Sequence, residues 1–224
     1  FYLGNNPQCV FVVGTHAYIV NGGNEMLEIV DVSNPVAPFL AGSLGIGTSP
    51  QEVFVQGNYA YIANRGNTKL EIVDVSDPTA PFLATDITLS DLPEGVFVGG
   101  NFAYVLIDAF AKNKLQVVDI SNPLSPSLVG DLDIGDTPAN IFVANDHAFI
   151  TNFGSNKLEI VDVSNPASPF LAGEFSGVTY DVFVQSNHAY ITQRPGGTAK
   201  LKVIDISNPG APSQVGEIAI DNEP

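Results

Sequence analysis

The sequence predicts an all-β chain, and two observations carry that prediction. Short apolar runs rich in Val, Ile, Phe and Tyr alternate with Gly, Asn and Pro turn signals, and no ten-residue stretch shows a helical period. Those runs also recur at fixed intervals. An Asp closes one of them at Asp31, Asp74, Asp119, Asp162 and Asp205, spaced by 43, 45, 43 and 43 residues. Val10-Phe11-Val12 returns in step as Val53-Phe54-Val55, Val96-Phe97-Val98, Ile141-Phe142-Val143 and Val182-Phe183-Val184. Ala17-Tyr18-Ile19 does the same, at Ala60, Ala103, Ala148 and Ala189. Three markers in register five times define an internal repeat.

Each unit reads as four strands, A to D. The first, "VFV", is continuously apolar, as a strand buried on both faces should be. A small turn (Gly57-Asn58 in the second unit) leads to the second, "AYI". A polar loop follows, then "LEIVDV". Ser-Asn-Pro stops this third strand, because proline has no amide hydrogen and asparagine favours tight turns. "PFLAG" is the fourth. A lone four-stranded sheet has two apolar faces, and a ring of neighbours covers both. The expected fold is therefore a five-bladed β-propeller of four-stranded antiparallel blades. A linear β-solenoid is the rival, with shorter coils than this period. One domain, 1–224, is expected, with blades at about 9–48, 52–91, 95–136, 140–177 and 181–221. Residues 1–7 and 218–224 both align with 44–50, so the chain holds five periods and a short overlap. A closed ring with residues 1–4 crossing the seam is expected. The alternative is a fragment of a larger propeller or repeat array, and the opening at Phe1 without a signal-peptide pattern reads as trimmed or excised.

LEIVD at 27–31, 70–74 and 158–162, with LQVVD at 115–119 and LKVID at 201–205, resembles the LVIVD repeat of bacterial and archaeal surface or exported proteins. The resemblance covers essentially the whole chain. It implies the propeller fold and an extracellular or cell-surface setting, and it carries no catalytic residues.

Composition excludes several classes. With 45% hydrophobic and 14% charged residues the chain is not disordered. No apolar run approaches the length that spans a bilayer, so no membrane insertion is expected. A formal net charge of −16 argues against a nucleic-acid partner. Cys9 is the single cysteine, which rules out an intrachain disulfide.

Antiparallel connectivity sorts the loops between two ends. The A–B turns and the Ser-Asn-Pro turns share one end, where the units hardly differ. Asp31 and its equivalents there are expected to brace the following turn, a metal site being the alternative. His16, His147 and His188 occupy A–B turns on separate blades, too far apart to share one zinc ion. The B–C and D–A loops share the other end, where the units diverge. All eight basic residues lie there: Arg65, Lys69, Lys112, Lys114, Lys157, Arg194, Lys200 and Lys202. Lys69, Lys114, Lys157 and Lys200 repeat in register and read as strand-entry solvation. Arg65, Lys112, Arg194 and Lys202 are individual choices. Off-pattern aromatics at this end are Phe110, Phe153, Phe175 and Tyr180, besides Phe1 and Tyr2 at the terminus. Aromatics with a cationic rim are what a recognition surface contains, and simple loop packing is the alternative. The candidate binding set is Arg65, Phe110, Lys112, Phe153, Tyr180 and Arg194.

The residue before strand A differs in every unit: Cys9, Glu52, Gly95, Asn140 and Asp181, expected at a channel mouth. Glu52 and Asp181 together offer oxygens for a cation such as Ca²⁺, ordinary channel water being the alternative. Cys9 reads either as a small buried residue or as a thiol whose reactivity needs a lowered pKa. No G-x-S-x-G, H-E-x-x-H, P-loop or EF-hand pattern occurs, and Trp is absent. The expected function is a non-enzymatic recognition or scaffold module of a secreted or cell-surface protein. Its B–C/D–A end would bind a protein or an anionic glycan, with no cofactor. The alternatives are a self-assembling surface-layer or filament component, and an enzyme using Glu52 and Asp181.

Overall fold

The structure, a computed structural model, describes residues 4–110, 112–177, 180–193 and 199–220. Among them the only helix is a 3₁₀ turn, Arg65–Asn67, and all other regular structure is β, in five four-stranded sheets. The chain divides into two compact units, 1–107 with 118–128 and 108–117 with 129–224.

In the first unit, β1 (Pro7–Val13), β2 (His16–Asn21), β3 (Met26–Asp31) and β4 (Phe39–Gly45) form one sheet in sequence order. A second sheet repeats it with β5 (Pro50–Gln56), β6 (Tyr59–Asn64), β7 (Lys69–Asp74) and β8 (Phe82–Thr88). The third sheet comprises β9 (Leu92–Gly99), β10 (Phe102–Asp108), β11 (Lys114–Asp119) and β12 (Ser127–Asp133). In the second unit come β13 (Pro138–Ala144), β14 (His147–Asn152), β15 (Lys157–Asp162) and β16 (Phe170–Ser176). They are followed by β17 (Val182–Gln185), β18 (His188–Gln193), β19 (Ala199–Asp205) and β20 (Ser213–Ile220). All resolved pairings are antiparallel between chain neighbours, as in β13–β14 and β14–β15. Five such sheets are the blades of a five-bladed β-propeller, the fold that the repeat predicts.

Burial follows the strand's place in its sheet. The second and third strands of the inner sheets are buried on both faces, as Ala60 to Asn64 and Leu70 to Val73 show. The first strand alternates instead, which corrects the expectation of double burial: Val53 and Val55 are buried while Phe54 is half-buried. The reason is a ladder of aromatic rings running from sheet to sheet. Phe11 lies 4.5 Å from Phe54, and Phe54 lies 4.8 Å from Phe97. The fourth strand is the exposed edge. Its register slips by one residue, between Ile29 and Val30 in the first sheet and at the same place in the second and fourth. Such a bulge blunts an edge against stray pairing.

Neighbouring sheets meet through apolar faces. In the first unit, Tyr18, Val20, Leu27 and Ile29 pack against Val53, Val55, Ala60, Ile62, Val73 and Val75. In the second, Phe149, Leu158 and Ile160 pack against Val182, Val184, Ala189, Ile191, Ile204 and Ile206. The glycine of "PFLAG" marks where each sheet touches the next. A Cβ on Gly42 would stand 2.3 Å from the Pro78 carbonyl oxygen, and one on Gly173 would stand 2.2 Å from that of Pro209.

The A–B turns need left-handed backbone, supplied by Gly14, Gly57 and Gly100 but by Ser186 (φ 54°) in the last sheet. Ser186→Gly is expected to stabilise the fold by about 1 kcal/mol, the left-handed penalty less glycine's extra folding entropy. Chemical denaturation checks the sign.

Candidate functional site

The B–C and D–A loops share one end of each sheet, as the connectivity requires. In the first unit Arg65 N–H donates to Ser49 O (3.1 Å) and Gly66 N–H to Thr48 O (2.9 Å). In the second, Phe153 N–H donates to Thr137 O (2.8 Å) and Gly154 N–H to Asp136 O (2.9 Å). Loops tied to each other by main-chain bonds make a fixed platform.

A buried carboxylate fastens that platform to the sheet beneath, and sequence reasoning missed it. The Glu of LEIVD is buried in mid-strand as Glu28, Glu71 and Glu159. Glu28 accepts from Gly4 N–H (3.0 Å) and from the Asn21 amide (3.1 Å). Glu71 accepts from Gly47 N–H (3.1 Å). Glu159 accepts from Gly135 N–H (3.1 Å) and the Asn152 amide (3.0 Å). Burial pushes the Glu159 carboxyl above the ordinary glutamate range, against these two donors. A charged residue recurring inside an apolar strand was the available signal. Gln116 and Lys202 take this position in the third and last sheets.

The cations are mostly spoken for. The repeated lysines face acids on the neighbouring fourth strand: Lys69 with Asp86 (3.0 Å), Lys157 with Glu174 (2.6 Å), Lys200 with Glu217 (2.8 Å), and Lys114 with Asp131. Of the individual choices, Arg65 pairs with Glu94, and Lys112 lies 2.7 Å from Asp133. The Lys112 side chain remains largely exposed. Lys202 Nζ stands 5.6 Å from the centre of the Phe175 ring, a cation–π distance. Arg194 lies outside the described residues.

The aromatics form the more distinctive feature. Phe153 and Tyr180 stack at 4.8 Å with their planes tilted by 37°, and each keeps about two fifths of its surface exposed (41% and 40%). Their backbones are anchored, Phe153 through Thr137 and Tyr180 through its N–H to Thr192 O (3.0 Å). The buried Thr151 hydroxyl bonds the carbonyls of both Asn140 (3.3 Å) and Tyr180 (3.2 Å). Phe110 is fully exposed.

The residues before each first strand are engaged by backbone. Glu52 accepts from Val96 N–H at 2.7 Å, and Gly95 leaves room for that carboxylate, since a Cβ there would be 3.0 Å from Oε2. Asp181 accepts from Val182 N–H (2.9 Å). Cys9 Sγ is 4.0 Å from Val53 O. Burial pushes the Cys9 thiol up, with the Glu52 carboxylate acting in the same direction. Among the described residues no three or more His, Cys, Asp or Glu side chains gather as metal ligands. Among the described residues no helix is long and apolar enough to cross a membrane.

At the opposite end the Asp brace is present. Asp31 accepts from the Ser33 hydroxyl and N–H, at 2.5 and 2.8 Å, and Asp162 from those of Ser164, at 2.6 and 2.9 Å. These bonds hold both carboxyls below the usual aspartate range. His16 and His147 each reach 4.0 Å from the Asp of their own sheet.

Five repeated four-stranded antiparallel sheets and a loop end that varies between repeats define the class as a β-propeller. The chain belongs to the LVIVD repeat family, which matches it at residues 6–45, 47–88, 94–134, 135–177 and 176–219. No curated protein matches it. Among solved structures, a functionally unknown protein of Desulfotomaculum acetoxidans is similar over 93% of this chain and 67% of its own, at 11% identity and a TM-score of 0.80. A protein of Lactobacillus plantarum is similar over 94% and 70%, at 14% identity and a TM-score of 0.80. Hydrazine synthase of Kuenenia stuttgartiensis is similar over 93% and 65%, at 16% identity and a TM-score of 0.73. This chain thus spans about two thirds of the length of each. Identities this low show the fold alone, and one fold shared by an enzyme and a functionally unknown protein selects no activity.

Two outcomes test this geometry. Glu159→Leu strands the Gly135 and Asn152 donors and is expected to cost about 2 kcal/mol, whereas Glu159→Gln keeps an acceptor and stays within about 1 kcal/mol. Because the folded-state pKa of Glu159 is raised, the wild type loses stability relative to the Gln variant as pH rises through the ordinary glutamate range. Denaturation at acid and neutral pH reads both. Cys9 in the folded chain is expected to alkylate more slowly than a free cysteine at the same pH, which a thiol-trapping time course measures.

Proposed function

We propose that this chain is a non-enzymatic recognition module of a secreted or cell-surface protein. The B–C/D–A loop end of its second unit contacts a protein or an anionic glycan. The observation that carries the reading is the exposed Phe153–Tyr180 stack, off the repeat pattern and pinned by main-chain bonds and the buried Thr151 hydroxyl. Rigid, half-exposed aromatics give contact area at low entropic cost. Phe110 and Lys112 add an apolar and a cationic contact in the third unit's loop at the same end of its sheet. Arg65 belongs to the first unit, where it is paired with Glu94. The mostly acidic surface suits a ligand that approaches the loop end, where the basic residues are gathered.

The test is a glycan array and a surface-protein pull-down with the wild type and a Phe153→Ala/Tyr180→Ala double variant. Binding is expected to fall at least tenfold in the variant, which corresponds to about 1.4 kcal/mol. Thermal melting confirms that its fold is kept. Undiminished binding by the variant removes this surface from the reading.

A further inference from the structure

We propose that a hollow between the sheets β13–β16 and β17–β20, at the end of the A–B turns, binds one ring of a neutral saccharide. Both sheets belong to the second compact unit. The inference does not depend on the loop-end reading above.

The hollow measures about 300 Å³ and has an apolar floor and a polar rim. Phe149 and Ile206, both buried, form the floor. Asn145, Ser186, Asn187 and Ser207 stand exposed around it, with the half-buried His147. Its frame is tied together. Asn187 O accepts from Ile206 N–H (2.9 Å), and Asp205 accepts from Ser207 N–H (2.8 Å). His147 Nδ1 lies 2.7 Å from Asn145 O, and because a carbonyl only accepts, Nδ1 is the donor.

Backbone conformation singles these two turns out. In the first three sheets a glycine takes the left-handed position of the A–B turn, as Gly14 (φ 59°), Gly57 (φ 61°) and Gly100 (φ 59°). In the last two sheets the position falls to Asn145 (φ 50°) and Ser186 (φ 54°), and those are the turns that border the hollow. Left-handed backbone is unfavourable for a residue with a side chain, and glycine would relieve it at both places. The chain keeps an amide and a hydroxyl there instead. The matching junction of the first and second sheets has Gly14 and Gly57 and lacks both groups. Strain held where a simpler residue would serve marks a functional position.

The chemistry of the lining selects the ligand. None of these side chains is a carboxylate, an ammonium or a guanidinium, so an ionic ligand finds no fixed counter-charge. Carboxamides and hydroxyls each donate and accept, as every sugar hydroxyl does. The apolar floor suits the C–H face of a pyranose. Ligand pockets run from about 300 to 1,000 Å³, and a hollow at the lower limit takes a single ring.

Saturation-transfer NMR with glucose, galactose, mannose and N-acetylglucosamine as separate probes tests the proposal. At least one of them is expected to bind the wild type. Asn145→Gly/Ser186→Gly restores the repeat's glycines and is expected to weaken that binding about tenfold, through the loss of two hydrogen-bonding groups. The same variant is expected to melt no lower than the wild type, which separates loss of the site from loss of the fold. Phe153→Ala/Tyr180→Ala is expected to bind the same sugar unchanged. A wild type that binds none of these probes overturns the proposal. So does full binding by the folded double-glycine variant. Binding that disappears with Phe153 and Tyr180 also overturns it, by moving the sugar to the loop end.

Discussion

Each sheet in this chain has two apolar faces and cannot keep either of them in water. Fully burying a Leu or Ile side chain is worth about 1.5–3 kcal/mol, and Leu70, Ile72, Leu158 and Ile160 are completely buried. The Lys–Asp and Lys–Glu pairs at the strand edges are worth no more than about 1 kcal/mol each, being partly exposed. The packing of sheet on sheet is therefore set by the apolar faces, and the ion pairs only decorate the edge. The proline carbonyl pressed against the "PFLAG" glycine then fixes the distance. At Gly42, Gly130 and Gly173 a Cβ would collide with that carbonyl, which favours a residue without a side chain there.

The same constraint explains how the loop end is held. Loops cannot contribute much apolar burial, so they are fastened by polar groups reaching down into the sheet. A carboxylate in the middle of the third strand accepts the amide of the incoming loop and the amide side chain at the end of the second strand. An acceptor lost in such a place leaves two donors stranded, which is why a costly buried charge persists there. With the loop backbone held this way, side chains at its tip carry no structural duty. Phe153, in the sheet braced by Glu159, stands in that freedom.

The strands, their order and the sharing of one end by the B–C and D–A loops were legible in the sequence, because each follows from local period and turn chemistry. Asp31 and its equivalents were legible too, since the residue that braces the turn lies two positions before it. What depends on a partner far along the chain was not. "LEIVD" shows a Glu among apolar residues, but only the fold brings Gly135 to Glu159 from 24 residues away. Arg65 looked like a free cation until Glu94, on another sheet, came beside it. Glu52 looked like one half of a cation site, and its carboxylate instead bridges to Val96, 44 residues on. The alternating burial of the first strand was hidden for the same reason, since the Phe ladder exists only between sheets.

The last unit is where the repeat departs furthest from its own rules, and the departures are physically connected. Lysine at position 202 has only donors, so it cannot accept the loop amide that Glu28, Glu71 and Glu159 accept. Its ammonium stands over the Phe175 ring instead. Gln193 replaces the asparagine found as Asn21, Asn64 and Asn152, which sets the amide one methylene further from the backbone. With the shared brace gone, the loop before β17 is held from the side by main-chain bonds between Tyr180, Asp181 and Thr192 and by the Thr151 hydroxyl. That alternative fastening is what brings Tyr180 against Phe153. The exchange of a repeated internal brace for a unit-specific one thus creates the aromatic surface at the point where the sequence stops copying itself.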